Sequence, residues 1–235
     1  MAALHDASSR FIDLATTVTP AEAELAVPTL SWTVGETVAH VLTVVRRGFA
    51  DSRRSASADQ TAALNQVCLD ELEERDAAQL ADRLRRDVHT ALDVVYPKIP
   101  DDREFAFHGG VTTTMTPALR IVLGEFLIHG YDVAGALGRA WPISADEAML
   151  VVPGELMGAW LRSGVPDERY ELRLDGEPPM SFAIRDGKIV VSSEDADPRA
   201  AVIAADPVQM VLTFYGRLPT DDPMFRRLLS RFVPS

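Results

Sequence analysis

Apolar side chains recur every three or four residues over the first two thirds of the chain, a spacing typical of helices with one buried face. Four such segments stand out, at residues 11–18, 34–49, 72–95 and 119–137. This number of packed helices is typical of a helix bundle. From about residue 170 onward, short stretches rich in β-branched residues predict strands instead. We therefore expect a helical domain at residues 1–142 and a small α+β domain at residues 143–235.

Capping residues predict where several of these helices begin. The runs TVGE (33–36) and SADE (144–147) have the form of capping boxes, in which two side chains each bond a backbone N–H of the other residue. Thr116 followed by Pro117 predicts a third start, with threonine as N-cap and proline in the first turn. Pro153 is expected to kink or shorten the helix that follows SADE. The apolar side chains of that helix are Met149, Val152, Leu156 and Trp160.

Turn and cap signals also divide the last third of the chain. The dipeptide DG at 186–187 lies between two apolar stretches, which is a strong signal for a tight β-hairpin. The run AAVIAA at 200–205 predicts a buried strand, and the dipeptide DP at 206–207 predicts the start of a helix. A closing helix is expected at residues 224–232. These elements together predict a small α+β domain.

Composition narrows the function classes. The 235 residues carry a net charge of −12, which disfavours binding to a nucleic acid backbone. No apolar run reaches the roughly 20 residues that a membrane span needs, and the N-terminus lacks a signal-peptide pattern, so we expect a cytoplasmic protein without membrane attachment. The single cysteine, Cys68, cannot form an intramolecular disulfide, and we interpret it as a small buried apolar side chain.

Glu125 and His129 interrupt an otherwise largely apolar helical segment. Because residues four apart project from the same side of a helix, these two side chains are expected to converge. A divalent metal would compensate the buried carboxylate, since carboxylate oxygen and imidazole nitrogen are both good zinc ligands. His40, from another predicted helix, is the candidate third ligand, and Asp132 could orient the His129 ring. The alternative is a hydrogen-bonded Glu–His pair without a metal.

Both parts of the chain resemble a known family. The runs WTVGETVAHV (32–41) and GEFLIHGYDVAGALGRAWPI (124–143) are similar to the metal-binding helices of the mycothiol-dependent maleylpyruvate isomerase family, within the wider DinB-like superfamily. The hairpin, AAVIAADP and VQMVLTFYGRL are similar to the sterol-carrier-like domain that follows the bundle in these isomerases. The resemblance implies an α + (α+β) fold, with an N-terminal DinB-like four-helix bundle followed by a small sterol-carrier-like α+β domain.

The resemblance also implies a metal enzyme. In that family a helix histidine and a later Glu–His pair hold zinc, and the matching residues here are His40, Glu125 and His129. Zinc there activates the thiol of mycothiol, the cosubstrate, for addition to an electrophilic carbon. An isomerase would rotate the adduct and expel the thiol to give the trans product, whereas an S-transferase would stop after addition. An arginine of the smaller domain serves the substrate, and Arg217 falls at the matching helix end.

Several alternatives stay open. His108 could line a substrate pocket or be an ordinary loop histidine, and Arg217 could be a solvent-facing cation at a helix end. Without a thiol, a zinc-bound water could act as base or hydrolytic nucleophile. The competing class is a non-enzymatic protein that binds a small ligand, with a structural or vacant metal site. In each case we expect a small-molecule partner, for the enzyme one that carries a carboxylate.

Overall fold

The computed structural model describes residues 1–155, 158–192 and 198–233. Its α-helices are α1 (Ala2–Thr16), α2 (Pro20–Ala23), α3 (Val34–Arg47), α4 (Thr61–Asp70), α5 (Ala77–His89), α6 (Met115–Ala136), α7 (Ala145–Glu155), α8 (Pro207–Phe214) and α9 (Pro223–Leu229). Its strands are β1 (Phe105–Ala106), β2 (Thr112–Thr113), β3 (Glu168–Leu174), β4 (Met180–Arg185), β5 (Lys188–Ser192) and β6 (Ala201–Ala205). The protein therefore combines helices and sheet, as the sequence predicts.

The described residues divide into two compact units. The first unit comprises residues 1–53, 62–105 and 113–143. The second unit comprises residues 54–61, residues 106–112 and the described residues from 144 onward. Two short segments that lie between helices of the first unit in the sequence therefore belong to the second unit.

Four helices form the centre of the first unit, with α1 and α3 each packed against both α5 and α6. Phe11 of α1 and Phe126 of α6 meet edge to face, with ring centroids 5.8 Å apart. The Thr33 hydroxyl accepts a hydrogen bond from the Glu36 N–H at 3.2 Å, and the Glu36 carboxylate accepts one from the Thr33 N–H at 2.9 Å. This capping box confirms the predicted start of α3.

The predicted start of α6 is wrong by two residues. The helix begins at Met115 with Thr114 as its N-cap, rather than at Pro117 with Thr116 as its N-cap. Pro117 is therefore the third helical residue. Proline is tolerated there because the N–H that it lacks would have no acceptor within the first turn of the helix.

The apolar segment at 72–95 does not form one regular helix. α5 begins only at Ala77, where the Asp76 carboxylate accepts a hydrogen bond from the Gln79 N–H at 3.0 Å. After α5 the chain widens into a π-helical turn at Thr90–Val95. The first apolar position of the predicted segment therefore precedes the helix, because the Asp76 cap fixes a later start.

The second unit contains a four-stranded sheet with the order β5-β4-β3-β6, in which β3 and β6 are parallel and the other pairs antiparallel. Asp186 (φ 49°) and Gly187 (φ 69°) form the turn between β4 and β5, which confirms the predicted hairpin. α8 begins at Pro207 after the N-cap Asp206, as predicted. The closing helix α9 begins one residue earlier than the predicted range 224–232 and ends three residues before its end.

α7 begins as predicted. The Ser144 N–H donates to the Glu147 carboxylate at 2.9 Å, and the Glu147 N–H donates to the Ser144 hydroxyl at 3.2 Å. The described helix includes Pro153 and reaches Glu155, short of the predicted apolar position Trp160. The predicted core residue Leu156 lies outside the described residues, and Trp160 follows in a turn.

Composition led to two further expectations, one about Cys68 and one about membrane-spanning helices. Cys68 is a free cysteine buried in α4, which agrees with its interpretation as a small apolar side chain. Across the described residues, no helix is both long and apolar enough to cross a membrane.

Gly130 and Gly135 provide a matched test of the packing around α6. A Cβ atom at position 130 would overlap the Trp141 ring, whereas at position 135 it would meet no described atom within 4 Å apart from the adjacent residues and backbone of α6 itself. We expect Gly130→Ala to lower the free energy of unfolding by about 1–3 kcal/mol through overpacking. Gly135→Ala should raise it by about 0.5–1 kcal/mol, because alanine is the better helix former. Urea unfolding followed by circular dichroism measures both values, and equal effects would contradict the packing of Trp141 against α6.

Candidate metal centre

Three side chains from α3 and α6 converge inside the first unit. His40 Nε2 lies 3.3 Å from Glu125 Oε2, and His129 Nε2 lies 3.2 Å from the same oxygen. One ligand atom from each of the three residues lies within 4.8 Å of the other two. The structure therefore brings together the three residues that the sequence analysis named as metal ligands.

Helix geometry explains this convergence. Glu125 and His129 are four residues apart, so both project from the same side of α6. His40 is buried on α3, and α3 packs against α6. The side chains of His40, Glu125 and His129 are 4%, 13% and 9% exposed. The cluster is therefore almost completely removed from water, and its charges interact strongly.

A second carboxylate lies behind His129. Asp132 Oδ2 is 3.1 Å from His129 Nδ1, while Asp132 Oδ1 accepts a hydrogen bond from the Thr29 hydroxyl at 3.0 Å. The Asp132 side chain is fully buried. When His129 donates its Nδ1–H to Asp132, Nε2 is the nitrogen that faces Glu125, and it can bind a metal once it carries no proton. Asp132 thus lies where it can set the tautomer and the orientation of the imidazole.

His40 is held mainly by packing. The Trp32 ring lies against the His40 ring, with centroids 4.6 Å apart and planes inclined at 36°. The Trp32 centroid is also 6.4 Å from that of His129. Within the described part of the chain, His40 Nδ1 is buried and has no hydrogen-bond partner. The two imidazoles therefore have different supports, an indole ring for His40 and a carboxylate for His129.

Burial and neighbouring charges shift the pKa values of the cluster. Burial lowers the pKa of His40 to about 4, although the Glu125 carboxylate opposes this change. Burial also acts to lower the pKa of His129, but the Asp132 and Glu125 carboxylates outweigh it and raise that pKa. For Glu125, burial acts to raise the pKa, but hydrogen bonds from His129 and His40 hold it well below its usual range. At neutral pH, Glu125 is therefore ionised and His40 neutral, the forms that bind metals.

The donor set fits a divalent metal of the zinc type. Two imidazole nitrogens and one carboxylate oxygen are a ligand set that zinc enzymes use, with a further coordination position open. Metal–ligand bonds of about 2.0–2.2 Å in a tetrahedral site separate the ligand atoms by about 3.3–3.6 Å. The distances from Glu125 Oε2 to the two imidazole nitrogens, 3.2 and 3.3 Å, are close to this range. A cation would also offset the cost of the buried carboxylate. The cluster can therefore hold a divalent metal.

Three residues at or near this cluster were not predicted from the sequence. Thr29 and Trp32 precede α3 in a segment without helical periodicity, and although Trp32 begins the run WTVGETVAHV, no role was predicted for its side chain. Arg47, in α3, is 5% exposed and donates to Asn65 Oδ1 at 2.8 Å. Its charge adds to the effect of burial in lowering the pKa of His40. The seven-residue spacing from His40, which returns to the same side of a helix, is a signal that could have identified Arg47.

His108 and Arg217, the other named candidates, belong to the second unit. His108 is 8% exposed, and its Nδ1 accepts a hydrogen bond from the Ser55 N–H at 3.3 Å. Arg217 is 9% exposed, follows the end of α8 and donates to the carbonyl oxygen of Tyr215. Both side chains are therefore buried, and the interpretation of Arg217 as a solvent-facing cation is wrong.

Comparison with known proteins gives the class of this chain. Residues 4–134 match the family model described as the mycothiol maleylpyruvate isomerase N-terminal domain. The match covers more than half of the chain, and the protein therefore belongs to this family.

Solved structures provide a second comparison. The crystal structure of a histidine-to-alanine mutant of the mycothiol-dependent maleylpyruvate isomerase is similar to this chain, with a TM-score of 0.54. The sequence identity is 14%, and the similarity covers 92% of this chain and 88% of that one. At this identity the similarity shows a shared fold. No curated protein matches the chain.

Zinc binding is the direct test of the cluster. We expect the purified protein to bind one zinc ion per chain, and His40→Ala and Glu125→Gln each to abolish tight binding, because only two ligands then remain. Asp132→Asn should weaken the zinc affinity by about 10- to 100-fold, because the His129 tautomer is no longer fixed. Elemental analysis by mass spectrometry measures the metal content, and competition with a chromophoric chelator measures the affinity.

His89→Ala is the matched control for the histidine variant. The His89 side chain is 70% exposed and pairs with Asp93 on the surface of the helix. Its removal should leave the zinc content unchanged. Retention of zinc by His40→Ala, or the same loss in both histidine variants, would contradict a metal centre formed by α3 and α6.

Proposed function

We propose that this protein is a metal-dependent isomerase or S-transferase that uses mycothiol as the nucleophile toward a small electrophilic molecule. The observation that carries the proposal is the meeting of three ligand atoms, from His40, Glu125 and His129, within 4.8 Å. Membership of the mycothiol maleylpyruvate isomerase N-terminal domain family supports the use of the thiol. We propose zinc as the metal, because two imidazoles and one carboxylate suit it.

Each residue of the cluster has a distinct proposed role. A bound divalent metal lowers the pKa of a thiol near it and so supplies a nucleophile at neutral pH. His40, Glu125 and His129 hold that metal, Asp132 keeps the proton of His129 on Nδ1, and Trp32 excludes water from one face of His40. No protein cysteine is needed as nucleophile, because the cosubstrate provides the sulfur.

The reaction that we propose conserves the thiol during isomerisation. The thiol sulfur forms a bond to one carbon of a cis double bond conjugated to a carbonyl group, and the π electrons move to the carbonyl oxygen. Rotation about the resulting single bond is followed by the reverse step, in which the C–S bond breaks and the double bond re-forms as trans. The thiol regains its proton when it leaves. An S-transferase would instead retain the C–S bond, and the enolate would take up a proton at carbon to give the thioether.

Arg217 is the residue that we propose for binding a substrate carboxylate. A guanidinium presents its donors in a planar fork that matches a carboxylate. The hydrogen bond to the Tyr215 carbonyl orients the Arg217 side chain before a substrate arrives. We keep His108 as a proposed pocket residue, since the Ser55 N–H fixes its ring.

We further propose that the two units correspond to a DinB-like four-helix bundle and a sterol-carrier-like domain. The packing of α1 and α3 against α5 and α6 supports the first assignment. The four-stranded sheet, together with α8 and α9, supports the second. The proposed domain boundary lies between residues 142 and 143. Segments 54–61 and 106–112 precede this boundary in the sequence but belong to the second unit.

An activity assay tests the thiol chemistry. Zinc-loaded protein is mixed with mycothiol and maleylpyruvate or related cis-unsaturated acids, and cis/trans conversion and thioether formation are followed by chromatography. We expect turnover that requires both zinc and mycothiol and that Glu125→Gln abolishes, while His89→Ala retains it. Turnover without thiol would point to hydrolytic zinc chemistry, and a zinc-loaded protein inactive toward every electrophile would favour a binding protein; either result contradicts the proposal.

Arg217 has a separate kinetic test. Arg217→Gln should raise the KM of an anionic substrate by about 10- to 100-fold, with a smaller change in kcat, because a charged hydrogen-bond donor to the carboxylate is lost. Zinc content should not change. Arg226→Gln, which removes a 59% exposed arginine from α9, is the control and should leave KM unchanged. A fall in kcat alone would contradict the proposed carboxylate contact.

A further inference from the structure

A cavity of about 330 Å3 lies within the second unit. It is at the N-terminal end of the parallel strands β3 and β6, and α9 forms part of its wall. The charged residues that line it are Asp167, Glu168, Arg169, Arg199 and Arg227. Among the described residues of this lining, three arginines stand beside two acids, whereas the whole chain carries −12. Its volume is in the range of about 300–1,000 Å3 that is usual for small-molecule sites.

Glu168, in this lining, binds two guanidinium groups. Arg227 donates to Glu168 Oε1 from Nε at 3.0 Å and from one terminal amino group at 2.6 Å. Arg231 donates from Nε to Oε2 at 3.0 Å and from a terminal amino group to Oε1 at 2.7 Å. The Tyr170 hydroxyl donates to Oε2 as well. The carboxylate, 6% exposed, therefore has a full set of donors, and the cluster retains one positive charge.

The net positive charge of Glu168, Arg227 and Arg231 is held by packing and does not change near neutral pH. The Tyr170 ring stacks on Phe182, with centroids 5.2 Å apart and planes inclined at 17°. Burial acts to raise the pKa of Glu168, but hydrogen bonds from Arg231, Tyr170 and Arg227 lower it to about 2. Burial and the Glu168 carboxylate raise the pKa of Tyr170 to about 12. Near neutral pH, one carboxylate therefore always faces two cations.

We propose that this cavity, the α9 pocket, binds a small organic anion through a carboxylate or phosphate group. Arg227 is the main contact, because its side chain is 51% exposed and its other terminal amino group makes no hydrogen bond within the described chain. A guanidinium binds either anion through two parallel hydrogen bonds. Among the described residues, none of His40, Glu125, His129 and Arg217 lines the pocket, so the inference is independent of the proposed thiol chemistry.

Titration of the full chain tests the pocket. Inorganic phosphate and malonate are added separately at constant ionic strength, and backbone amide resonances are followed by NMR. We expect at least one anion to shift the amides of Glu168, Tyr170 and Arg227 saturably, and the tighter anion identifies the recognised group. Arg227→Gln should weaken that affinity by about 10- to 100-fold. Arg227→Lys keeps the charge without the planar fork, so its affinity for the anion should lie between those of the unmodified protein and Arg227→Gln.

Arg226→Gln is the matched control, because it removes the same charge from the neighbouring position of α9. Arg226 does not line the pocket, and its contact is a 4.0 Å ion pair with Asp221. The affinity should then change by less than about twofold, since an exposed charge is screened by salt. If Arg227→Gln does not fold, Arg227→Lys is compared with Arg226→Gln instead. The absence of saturable shifts with either anion, shifts confined to α3 and α6, or an equal loss in both variants would overturn the proposal.

Discussion

The first unit depends on compensating one buried carboxylate. Glu125 lies among apolar side chains of α6, and an ionised group in such a place costs several kcal/mol unless opposite charge or hydrogen bonds offset the loss of water. α6 itself supplies His129, and α3 supplies His40. The contact between α3 and α6 is therefore an electrostatic requirement as well as a packing contact. A divalent cation would satisfy the same requirement more fully, because imidazole and carboxylate groups are both good metal ligands.

The two imidazoles meet this carboxylate under different conditions. His129 is oriented from behind by Asp132, which is in turn held by Thr29, and its pKa is raised. His40 is oriented by the Trp32 ring, and burial lowers its pKa. Because a metal binds an imidazole nitrogen that carries no proton, neutral His40 needs only to hold its proton on Nδ1, whereas His129 must lose the proton on Nε2. The carboxylate of Asp132 then keeps the remaining Nδ1–H hydrogen-bonded.

The second unit also contains a buried carboxylate, but there the positive charge of its partners exceeds its negative charge. Glu168 is buried at the start of β3, and the guanidinium groups of Arg227 and Arg231 more than neutralise it. Two cations on one carboxylate leave a positive surplus beside a cavity, in a chain that is acidic as a whole. A buried carboxylate thus gathers hydrogen-bonding partners in both units, imidazoles in the first and guanidinium groups in the second. The charge that remains after the carboxylate is neutralised determines which ligands each cluster can bind.

Local features of this protein were determined by the sequence alone. The capping box of α3, the turn at 186–187 and the spacing of Glu125 and His129 depend on a few consecutive residues, and each could be read directly. The start of α6 at Met115 and the start of α5 at Ala77 were not predicted, because apolar spacing alone does not fix the first residue of a helix. Only tertiary packing decided that His40, 85 residues before Glu125, would meet it, and that Trp32 would cover the ring. Such contacts depend on how whole helices pack, which no short run of residues specifies.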